Sequence, residues 1–481
     1  MKEQLPIIEE VESLSPAELY SSFAEDSCSF FLDSSRQFKE YGNYSFLGTD
    51  PFLILKTQGE RAEIITEDRR IIKEEHPLKV LRELLKSYKM EIEHPLPLLS
   101  GAVGYFSYDL GRELEDLPEE TEDDLGLPQL YLGFYDLIFI YDHQEKRLFL
   151  SSSGLSPAGS SQRRAKKRLA EMKERVDRER PEGLQKAGKP VYIDPHQISS
   201  NFTRQEYLQA VERAREYIAA GDIFQVNISQ RFQAPLLQPP YDLYRRLRKL
   251  NPAPFSSYLN FPEVKVASSS PERFIQLRGR RLETRPIKGT RPRGNNPAED
   301  ESMKKELQES IKDRAENLMI VDLERNDFGR ISEYGSVKVE ELFGLEDFAT
   351  VFHLVSTVTG RLGHDRDATD VIKATFPGGS ITGAPKIRAM EIIEELEPVR
   401  RHVYTGSIGY LDFRGDMDLN IVIRTFILKK NKAYFQVGGG IVTDSSPEME
   451  YQETLDKGRA LMKTLTGQKK EEELKRELMK G

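Results

Sequence analysis

The chain has 481 residues, of which 38% are hydrophobic and 31% charged, and 70 basic against 79 acidic residues give a net charge of −9. This acidic balance argues against a non-specific nucleic-acid binder, because neutralising phosphates requires a basic surface. A single cysteine, Cys28, excludes an internal disulfide. The acidic amino-terminal segment does not resemble a signal peptide and no apolar run of about 18 residues occurs, so we expect a cytoplasmic protein with no membrane partner.

Three zones and a tail follow one another along the chain. Residues 1–150 alternate short apolar runs with turn residues, and the tract QLYLGFYDLIFIYD followed by KRLFLSSS predicts a hairpin. Residues 151–195 form a connector whose segment QRRAKKRLAEMKERVDRER predicts a helix that is polar almost all round and runs over the surface. Residues 196–467 hold nearly all the candidate chemistry, and residues 468–481 form a charged tail.

Helices and strands mix irregularly in the third zone. Residues 202–220 carry apolar side chains at helical spacing, and the following DIFQVNISQRF alternates as a strand does. Gln225, Asn227 and Ser229 share the polar face of that strand, which must therefore face either solvent or a site. Residues 404–442 predict three consecutive strands, and the whole pattern indicates an α+β layered sandwich, not a regular βαβ repeat.

Two pairs of carboxylates share a spacing of three residues on predicted helices: Asp313 with Glu316, and Glu450 with Glu453. The apolar side of the first helix is predicted to include Leu307, Ile311 and Leu318. Facing pairs of this kind would suit Mg²⁺, which prefers oxygen ligands. Spacing alone favours ordinary surface salt bridges instead, with Lys312 and Lys457 as the basic partners.

Two glycine-rich strings are candidate ligand sites. In FPGGSITGAPKIRAMEIIEELEP a loop leads into a helix, so that Ser380, Thr382 and Lys386 with the helix-start amides form either an anion cradle or a simple helix cap. The residue order is not that of a nucleotide-binding P-loop. In QVGGGIV three glycines allow either close approach of a ligand or a bulge.

The basic stretch ETRPIKGTRPRG brings Lys288 close in sequence to Arg285, Arg291 and Arg293. Like charges disfavour protonation of a lysine, which is one route to an amine nucleophile near neutral pH. An exposed basic loop is the simpler interpretation of this stretch alone.

Several strings, taken together and in order, resemble one known family. SPERFI, PIKGTRPRG, AENLMIVDLERND, FPGGSITGAPKIRAMEIIEELEP, YTGSIGYLDF and GGGIVTDSSPEMEYQET are similar to motifs of the chorismate-binding enzymes: anthranilate, aminodeoxychorismate, isochorismate and salicylate synthases. YSFLGTDP and GAVGYFSYDLGRELEDLP extend the match into the amino-terminal zone of the two glutamine-linked members. The resemblance implies an anthranilate-synthase-like layered β-sandwich with helices packed outside, and an amino-terminal lobe intertwined with the catalytic core.

The resemblance also implies a metal site. Glu316 and Glu453 would bind Mg²⁺ directly, and Asp313 and Glu450 would reach it through water. The ion would hold the ring carboxylate of chorismate, the implied substrate.

Further implied residues contact the substrate. Glu272 would be the general acid that protonates the departing C4 hydroxyl. A tyrosine, an arginine and three glycine amides would bind the enolpyruvyl carboxylate, and a serine and a histidine would line the site. These residues are Tyr404, Arg424, Gly438, Gly439, Gly440, Ser380 and His353.

Two positions select the reaction within the family. Isochorismate-type members carry a lysine that activates water where this chain has Gln225, so the resemblance implies ammonia as the nucleophile. Anthranilate synthases carry alanine where this chain has Lys288, which implies amination of chorismate at C4 through a lysine-bound intermediate, for synthesis of para-aminobenzoate and folate. The alternatives are an anthranilate synthase with an atypical lysine and, disfavoured by the full set of acid and clamp residues, a non-catalytic chorismate-binding subunit.

The source of ammonia is expected to be another protein. Cys28 lies in DSCSFFLDSS, without the glycine-flanked context of a glutaminase nucleophile. We therefore expect a separate glutamine amidotransferase subunit as partner. The string FLDSS at 31–35 occupies the place where anthranilate synthases hold inhibitory tryptophan, and we expect no inhibition by tryptophan here.

Overall fold

The computed structural model describes residues 6–35, 41–179, 190–294, 296–347 and 351–467. The charged tail at 468–481 and residues 180–189 of the connector lie outside these ranges. Among the described residues, every helix falls short of the length and apolarity that a bilayer crossing needs.

The strands of the amino-terminal zone and connector are, in chain order, β1 (Ile7–Val11), β2 (Ser29–Asp33), β3 (Tyr44–Gly48), β4 (Leu53–Gln58), β5 (Arg61–Ile65), β6 (Arg70–Glu74), β7 (Gly101–Phe106), β8 (Leu130–Tyr135), β9 (Leu137–Asp142), β10 (Arg147–Ser152), β11 (Leu155–Ser156) and β12 (Gly159–Ser160). Those of the third zone are β13 (Ser199–Ser200), β14 (Gln225–Pro235), β15 (Phe255–Asn260), β16 (Lys265–Ser270), β17 (Arg273–Arg278), β18 (Arg281–Thr284), β19 (Ile287–Pro292), β20 (Lys338–Asp347), β21 (Val351–Arg361), β22 (Gly383–Ala384), β23 (Ser407–Asp412), β24 (Met417–Asn420), β25 (Thr425–Lys429) and β26 (Lys432–Ile441).

The helices are α1 (Pro16–Ser21), α2 (Pro77–Ser87), α3 (Gln162–Arg178), α4 (Arg204–Ala220), α5 (Pro240–Leu250), α6 (Pro297–Glu309), α7 (Ile311–Gly329), α8 (Ala368–Thr375), α9 (Lys386–Leu396) and α10 (Pro447–Thr466). Short 3-10 turns span Tyr108–Glu113, Pro195–Gln197 and Gly379–Ile381.

Two large antiparallel sheets form the centre of the molecule. Sheet A follows the order β1-β10-β9-β3-β2-β15-β16-β25-β26-β14-β13, with β22 also beside β14. Sheet B follows the order β19-β21-β18-β17-β24-β23-β7-β8-β4-β5-β6, with β20 also beside β21. Amino-terminal strands join third-zone strands in both sheets, where β2 pairs with β15 and β7 with β23. The expected intertwining of the amino-terminal lobe with the core is confirmed.

Apolar side chains are buried both between the sheets and on their outer faces. The inner core combines Phe30 and Val266 of sheet A with Tyr105 and Ile408 of sheet B, among others. Helices α1, α3, α4, α5, α9 and α10 cover the outer face of sheet A. Helices α2, α7 and α8 cover sheet B. The predicted α+β layered sandwich with helices outside is confirmed.

Two strand predictions are corrected by switches of the chain between sheets. The tract QLYLGFYDLIFIYD holds two strands, β8 in sheet B and β9 in sheet A, and only β9 forms the hairpin with β10. Residues 404–442 form four strands instead of three, because the chain leaves sheet B after β24 and enters sheet A at β25. No turn of glycine or proline residues marks either crossing in the sequence.

Two helix predictions are also wrong in detail. Ile311 and Leu318, predicted on the apolar side of α7, are 85% and 44% exposed. The reason is a break before α7, where the side chain of Ser310 caps a new helix, so the phase set by Leu307 in α6 does not continue. The connector helix α3 is not polar all round, because it buries a narrow stripe that includes Leu169 and Met172.

Candidate active site

The polar face of β14 points into the protein beside the triple glycine of β26. Asn227 lies opposite Gly440 in the β14–β26 pairing. Gln225 is 1% exposed, and neither heteroatom of its side-chain amide has a hydrogen-bond partner among the described residues; the same holds for Oδ1 of Asn227. A Cβ on Gly440 would collide with Nε2 of Gln225, so a larger residue there would displace the Gln225 amide. Buried amide groups without partners indicate a place for a polar ligand.

A candidate anion clamp lies where the chain crosses from β24 to β25. Arg424 occupies this crossing with a positive φ of 52°. Its guanidinium has no ion pair among the described residues, and burial lowers its pKa. Tyr404 precedes Thr405, whose N–H donates to the carbonyl of Val422 at 2.7 Å, two residues before Arg424. Tyr404 is buried, and burial raises the pKa of its phenol. A half-buried guanidinium without a carboxylate is suited to a bidentate anion such as a substrate carboxylate.

His353 on β21 lies within the electrostatic reach of Arg424. It is 4% exposed, and its Nδ1 shares a hydrogen bond of 2.9 Å with the hydroxyl of Thr290. Burial, with Arg424 as the next cause, lowers the pKa of His353 to about 3. The imidazole is therefore neutral at physiological pH and serves as a hydrogen-bonding group, not as a cation.

Ser380 connects the two candidate catalytic groups. Nζ of Lys288 donates to the carbonyl oxygen of Ser380 at 3.1 Å, and the hydroxyl of Ser380 donates to Oε1 of Glu272 at 2.7 Å. Glu272 is 5% exposed, and burial raises its pKa to about 7, against the lowering effect of Ser380 and Lys288. A carboxyl with this pKa can hold a proton near neutral pH and donate it.

The pKa of Lys288 is lowered, but not by the neighbours that the sequence indicated. Burial is the largest cause, opposed by Glu316 and assisted by Lys457. The nearby arginines are neutralised by carboxylates: Arg285 by Glu346, Arg291 by Glu306 and Asp313, and Arg293 by Asp300. The arginines thus pair with acids, as the simpler interpretation of this stretch predicts, whereas Lys288 itself is buried and not exposed. The alternative, that the arginines lower the basicity of Lys288, is wrong, because packing and not sequence proximity sets its surroundings.

The four candidate metal ligands lie on α7 and α10, and two of them, Glu316 and Glu453, make the salt bridges that the sequence favoured. Glu453 pairs with Lys457 at 2.7 Å, and Glu316 lies 3.9 Å from Lys312. Asp313 is bound by Arg291 at 3.0 Å. Spacing thus correctly indicated the basic partners.

The same carboxylates influence one another. Burial, and among weaker causes Asp313 and Glu453, raises the pKa of Glu316. Burial raises the pKa of Glu450 too; its Oε1 accepts from Ser445 at 2.6 Å, while its Oε2 is buried without a partner among the described residues. A Cβ on Gly439 would lie 3.0 Å from Oε2 of Glu450 and 3.5 Å from Oε1 of Glu453. Within the described ranges, no three acidic or histidine side chains converge closely enough to hold a metal ion by themselves.

The anion cradle that the sequence offers as one interpretation of the loop before α9 would need free Lys386 and Thr382 side chains. Nζ of Lys386 pairs with Asp327 and donates to the carbonyl of Thr375 at 2.8 Å. The hydroxyl of Thr382 donates to the carbonyl of Gly378 at 2.9 Å. Because Lys386 and Thr382 are occupied by protein groups, only Ser380 of this string is joined to candidate catalytic residues.

Sequence reasoning missed two basic residues of the site. Lys457, considered only as a salt-bridge partner, also donates to the carbonyl of Gly438 at 3.0 Å. Arg401 is fully buried, donates to the carbonyls of Asn227 and Ile381 at 2.6 and 3.0 Å, and lies over the ring of Tyr404 at 5.9 Å. The sequence offers no signal for Arg401, because it stands in the polar string EPVRRH, where a buried arginine cannot be told from an exposed one.

A separate cavity of about 150 Å³ lies between the amino-terminal zone and the third zone, lined in part by Asp33, Ser34, Tyr41 and Arg273. Asp33 and Ser34 belong to the FLDSS string. Asp33 is already paired with Arg248 at 2.6 Å.

Comparison with known proteins defines the class. The sequence matches the family described as chorismate binding enzyme over residues 28–463. The chain is 43% identical to aminodeoxychorismate synthase component 1 of Bacillus subtilis (88% of this chain, 89% of that protein) and 40% identical to the Escherichia coli protein of the same name (95% and 100%). The structure is similar to anthranilate synthase component I from Streptococcus pneumoniae, with a TM-score of 0.79, 34% identity, and coverage of 89% of this chain and 93% of that chain. The protein belongs to the chorismate-binding enzyme family.

Proposed function

We propose that this protein is a cytoplasmic enzyme that aminates chorismate at C4 with ammonia, giving 4-amino-4-deoxychorismate for para-aminobenzoate and folate synthesis. The observation that carries the proposal is the position of Lys288, whose amine contacts the same serine that donates to Glu272. The two relatives named aminodeoxychorismate synthase component 1 support this reaction.

In the first step, Lys288 acts as a neutral amine, which its lowered pKa favours. Its nitrogen forms a bond to C2 of the ring, both ring double bonds shift, and the C4–O bond breaks. The proton of Glu272 passes to the departing hydroxyl, which leaves as water. The lysine nitrogen loses one proton as the adduct forms.

In the second step, ammonia attacks C4, the double bonds shift back, and the bond between C2 and the lysine nitrogen breaks. The new nitrogen loses a proton, and the lysine amine recovers one, so protons balance over the two steps. Two successive displacements place the amine on C4, where one direct attack would place it on C2.

Different residues would bind chorismate and ammonia during these steps. Arg424 and Tyr404, with the amides of Gly438, Gly439 and Gly440, would bind the enolpyruvyl carboxylate. Gln225 lies at the polar end of β14, and its unpartnered amide can bind ammonia but cannot remove a proton from water.

We further propose Mg²⁺ as cofactor, bound directly by Glu316 and Glu453 and through water by Asp313 and Glu450. The unpartnered buried oxygen of Glu450 and the electrostatic coupling of Glu316 with Glu453 fit a cation. Because few carboxylates reach a common point, water and substrate oxygens would complete the coordination, as is usual for Mg²⁺. When bound, the ion would neutralise and orient the ring carboxylate.

Ammonia would come from a glutamine amidotransferase subunit. The names of the relatives, component 1, support the existence of a second component. A second candidate reaction is formation of anthranilate, supported by the similarity to the Streptococcus pneumoniae enzyme.

The test is to trap the lysine adduct. Protein mixed with chorismate and Mg²⁺ but without ammonia should gain mass on the peptide that contains Lys288, and ammonium should remove the added mass. Lys305, which is 71% exposed, offers a control peptide that should remain unmodified. An enzyme that turns over chorismate without modification of Lys288 at any time would contradict the covalent mechanism.

A further inference from the structure

The 3-10 turn Gly379–Ile381 is held at each of its residues by a different element. The N–H of Gly379 donates to Oε1 of Glu324 on α7 at 3.2 Å. The carbonyl of Ile381 accepts from Nη1 of Arg401 at 3.0 Å. Ser380, between them, carries the contacts to both candidate catalytic groups. The orientation of those contacts therefore depends on what holds the turn.

Glu324 of α7 packs directly against this turn. Its side chain is 3% exposed, and no part of the proposed reaction uses it. A Cβ on Gly379 would lie 2.5 Å from Cδ2 of Leu323 and 3.2 Å from Oε1 of Glu324, so the backbone of the turn rests directly on α7. A buried carboxyl that accepts from a backbone N–H at such a place determines the position of the peptide.

We propose that Glu324 is a positioning residue: through the N–H of Gly379 it fixes the turn in which Ser380 orients Glu272 and Lys288. This inference rests on the proposed function for the roles of Glu272 and Lys288. It adds a residue that touches neither chorismate nor ammonia.

The charges around Glu324 determine its protonation state. Asp327 on the same helix, Lys386 at the start of α9 and Glu272 all act on it. Burial, followed by Asp327, raises the pKa of Glu324 to about 8, and Lys386 opposes the rise. Because this pKa lies above that of Glu272, which is about 7, Glu324 is mostly protonated where Glu272 titrates, and its carbonyl-type oxygen can still accept from the N–H of Gly379.

The first comparison separates the hydrogen bond from the bulk of the side chain. Glu324→Leu removes the acceptor for Gly379, and we expect kcat to fall at least tenfold while the KM for chorismate stays within threefold. Glu324→Gln retains an acceptor oxygen and should lose less of kcat than Glu324→Leu. Equal losses in both variants, or a loss confined to KM, would overturn the positioning role.

The second comparison uses the pH profile of kcat/KM. Because Glu324 is mostly protonated where Glu272 titrates, Glu324→Gln should leave the alkaline limb near pH 7 in place. Glu324→Leu releases the turn and with it the Ser380 hydrogen bond that lowers the pKa of Glu272, so this variant should move the alkaline limb to higher pH. Asp322→Asn on the same helix is the control, since Asp322 is 60% exposed and pairs only with Arg325 among the described residues. An alkaline limb of Glu324→Leu that coincides with that of the unmodified protein would refute the positioning of Glu272 through the turn.

Failure of this inference can be told from failure of the proposed function. Rates are measured as consumption of chorismate, whatever the product, and the product of the unmodified protein is identified separately. If that product is not 4-amino-4-deoxychorismate, the proposed function fails, while the ratio between the two Glu324 variants still tests the turn. Thermal unfolding of each variant shows whether a lost rate reflects a lost fold, and Glu324→Gln preserves the shape of the side chain if Glu324→Leu does not fold.

Discussion

The surroundings of Glu272 determine what this carboxyl can do. It is buried, and the hydroxyl of Ser380 donates a hydrogen bond to it. Since burial disfavours the charged form, the acid keeps its proton up to a pH of about 7.

We expect Glu272→Gln to reduce kcat by about 10² to 10⁴, the usual contribution of a general acid. In the unmodified protein, kcat/KM should fall as pH rises through about 7, because the protonated acid is lost. On the acidic side it should fall as Lys288 becomes protonated. A pH–rate series of the free enzyme measures both limbs, and an alkaline limb that Glu272→Gln leaves unchanged would contradict this assignment.

The acidic residues of α7 and α10 make a separate prediction about metal binding. Glu453→Gln should weaken Mg²⁺ binding at least tenfold in a calorimetric titration carried out with chorismate present and ammonia absent. Glu448→Gln is the matched control on the same helix, because Glu448 is 62% exposed and belongs to no proposed ligand set. Equal affinities of the two variants would remove Glu453 from the site.

At the residue scale, sequence identified the correct residue types but not always the physical cause. Lys288 and Glu272 were identified by resemblance, and the structure joins both to Ser380. One explanation that the sequence offers for a lowered pKa of Lys288, repulsion by the neighbouring arginines, is wrong, since these arginines are all ion-paired. The sequence gives no sign of a role for Glu324, because only the folded structure shows that it accepts a hydrogen bond from the N–H of Gly379.

At the scale of elements, the site depends on a buried ion pair beneath β14. Arg401 and Glu397 are each 1% exposed and 2.6 Å apart. Glu397 accepts from the N–H and hydroxyl of Ser229, and Arg401 donates to the carbonyl of Asn227. The pair therefore fixes the strand whose polar face lines the candidate site.

Truncation of this pair should destabilise the fold. Arg401→Ala leaves a buried carboxylate without its partner, and we expect a loss of about 3–5 kcal/mol in the free energy of unfolding, measured by urea denaturation. Arg213→Ala is the comparison, since Arg213 and Glu216 form an ion pair that is more than half exposed and should contribute little. Similar losses for both variants would show that the buried pair has no special role.

Element predictions succeeded where local signals were strong and failed where the partner strand mattered. The helix predicted over residues 202–220 forms as α4, which ends at Gly221 in a left-handed cap, and the alternating tract after it forms β14. The crossing between β24 and β25 was missed, because residues on both sides are buried and nothing local distinguishes sheet A from sheet B. This crossing is where Arg424 lies.

At the scale of the whole molecule, the two sheets make one structure from both ends of the chain. The amino-terminal strands supply part of each sheet, so the expected boundary at residue 150 does not separate two independent sheets. The boundaries at 195 and 467 stay predictions. Resemblance indicated this intertwining, whereas composition and periodicity alone indicated only the α+β class.

The source of nitrogen is a prediction about this chain and a partner. The chain alone should convert chorismate with an ammonium salt but not with glutamine, because we identify no glutaminase nucleophile in it. Addition of a purified glutamine amidotransferase subunit should make glutamine effective. Turnover with glutamine in highly purified chain alone would contradict the need for a partner.

The central claim is that Lys288 directs nitrogen to C4, and product identity tests it most directly. Chorismate, Mg²⁺ and an ammonium salt should give 4-amino-4-deoxychorismate with the unmodified protein, identified by chromatography and mass spectrometry. Lys288→Ala should abolish this product or redirect nitrogen to C2, while Lys305→Ala should not. Unchanged 4-amino-4-deoxychorismate from Lys288→Ala, or anthranilate as the product of the unmodified protein, would contradict the account.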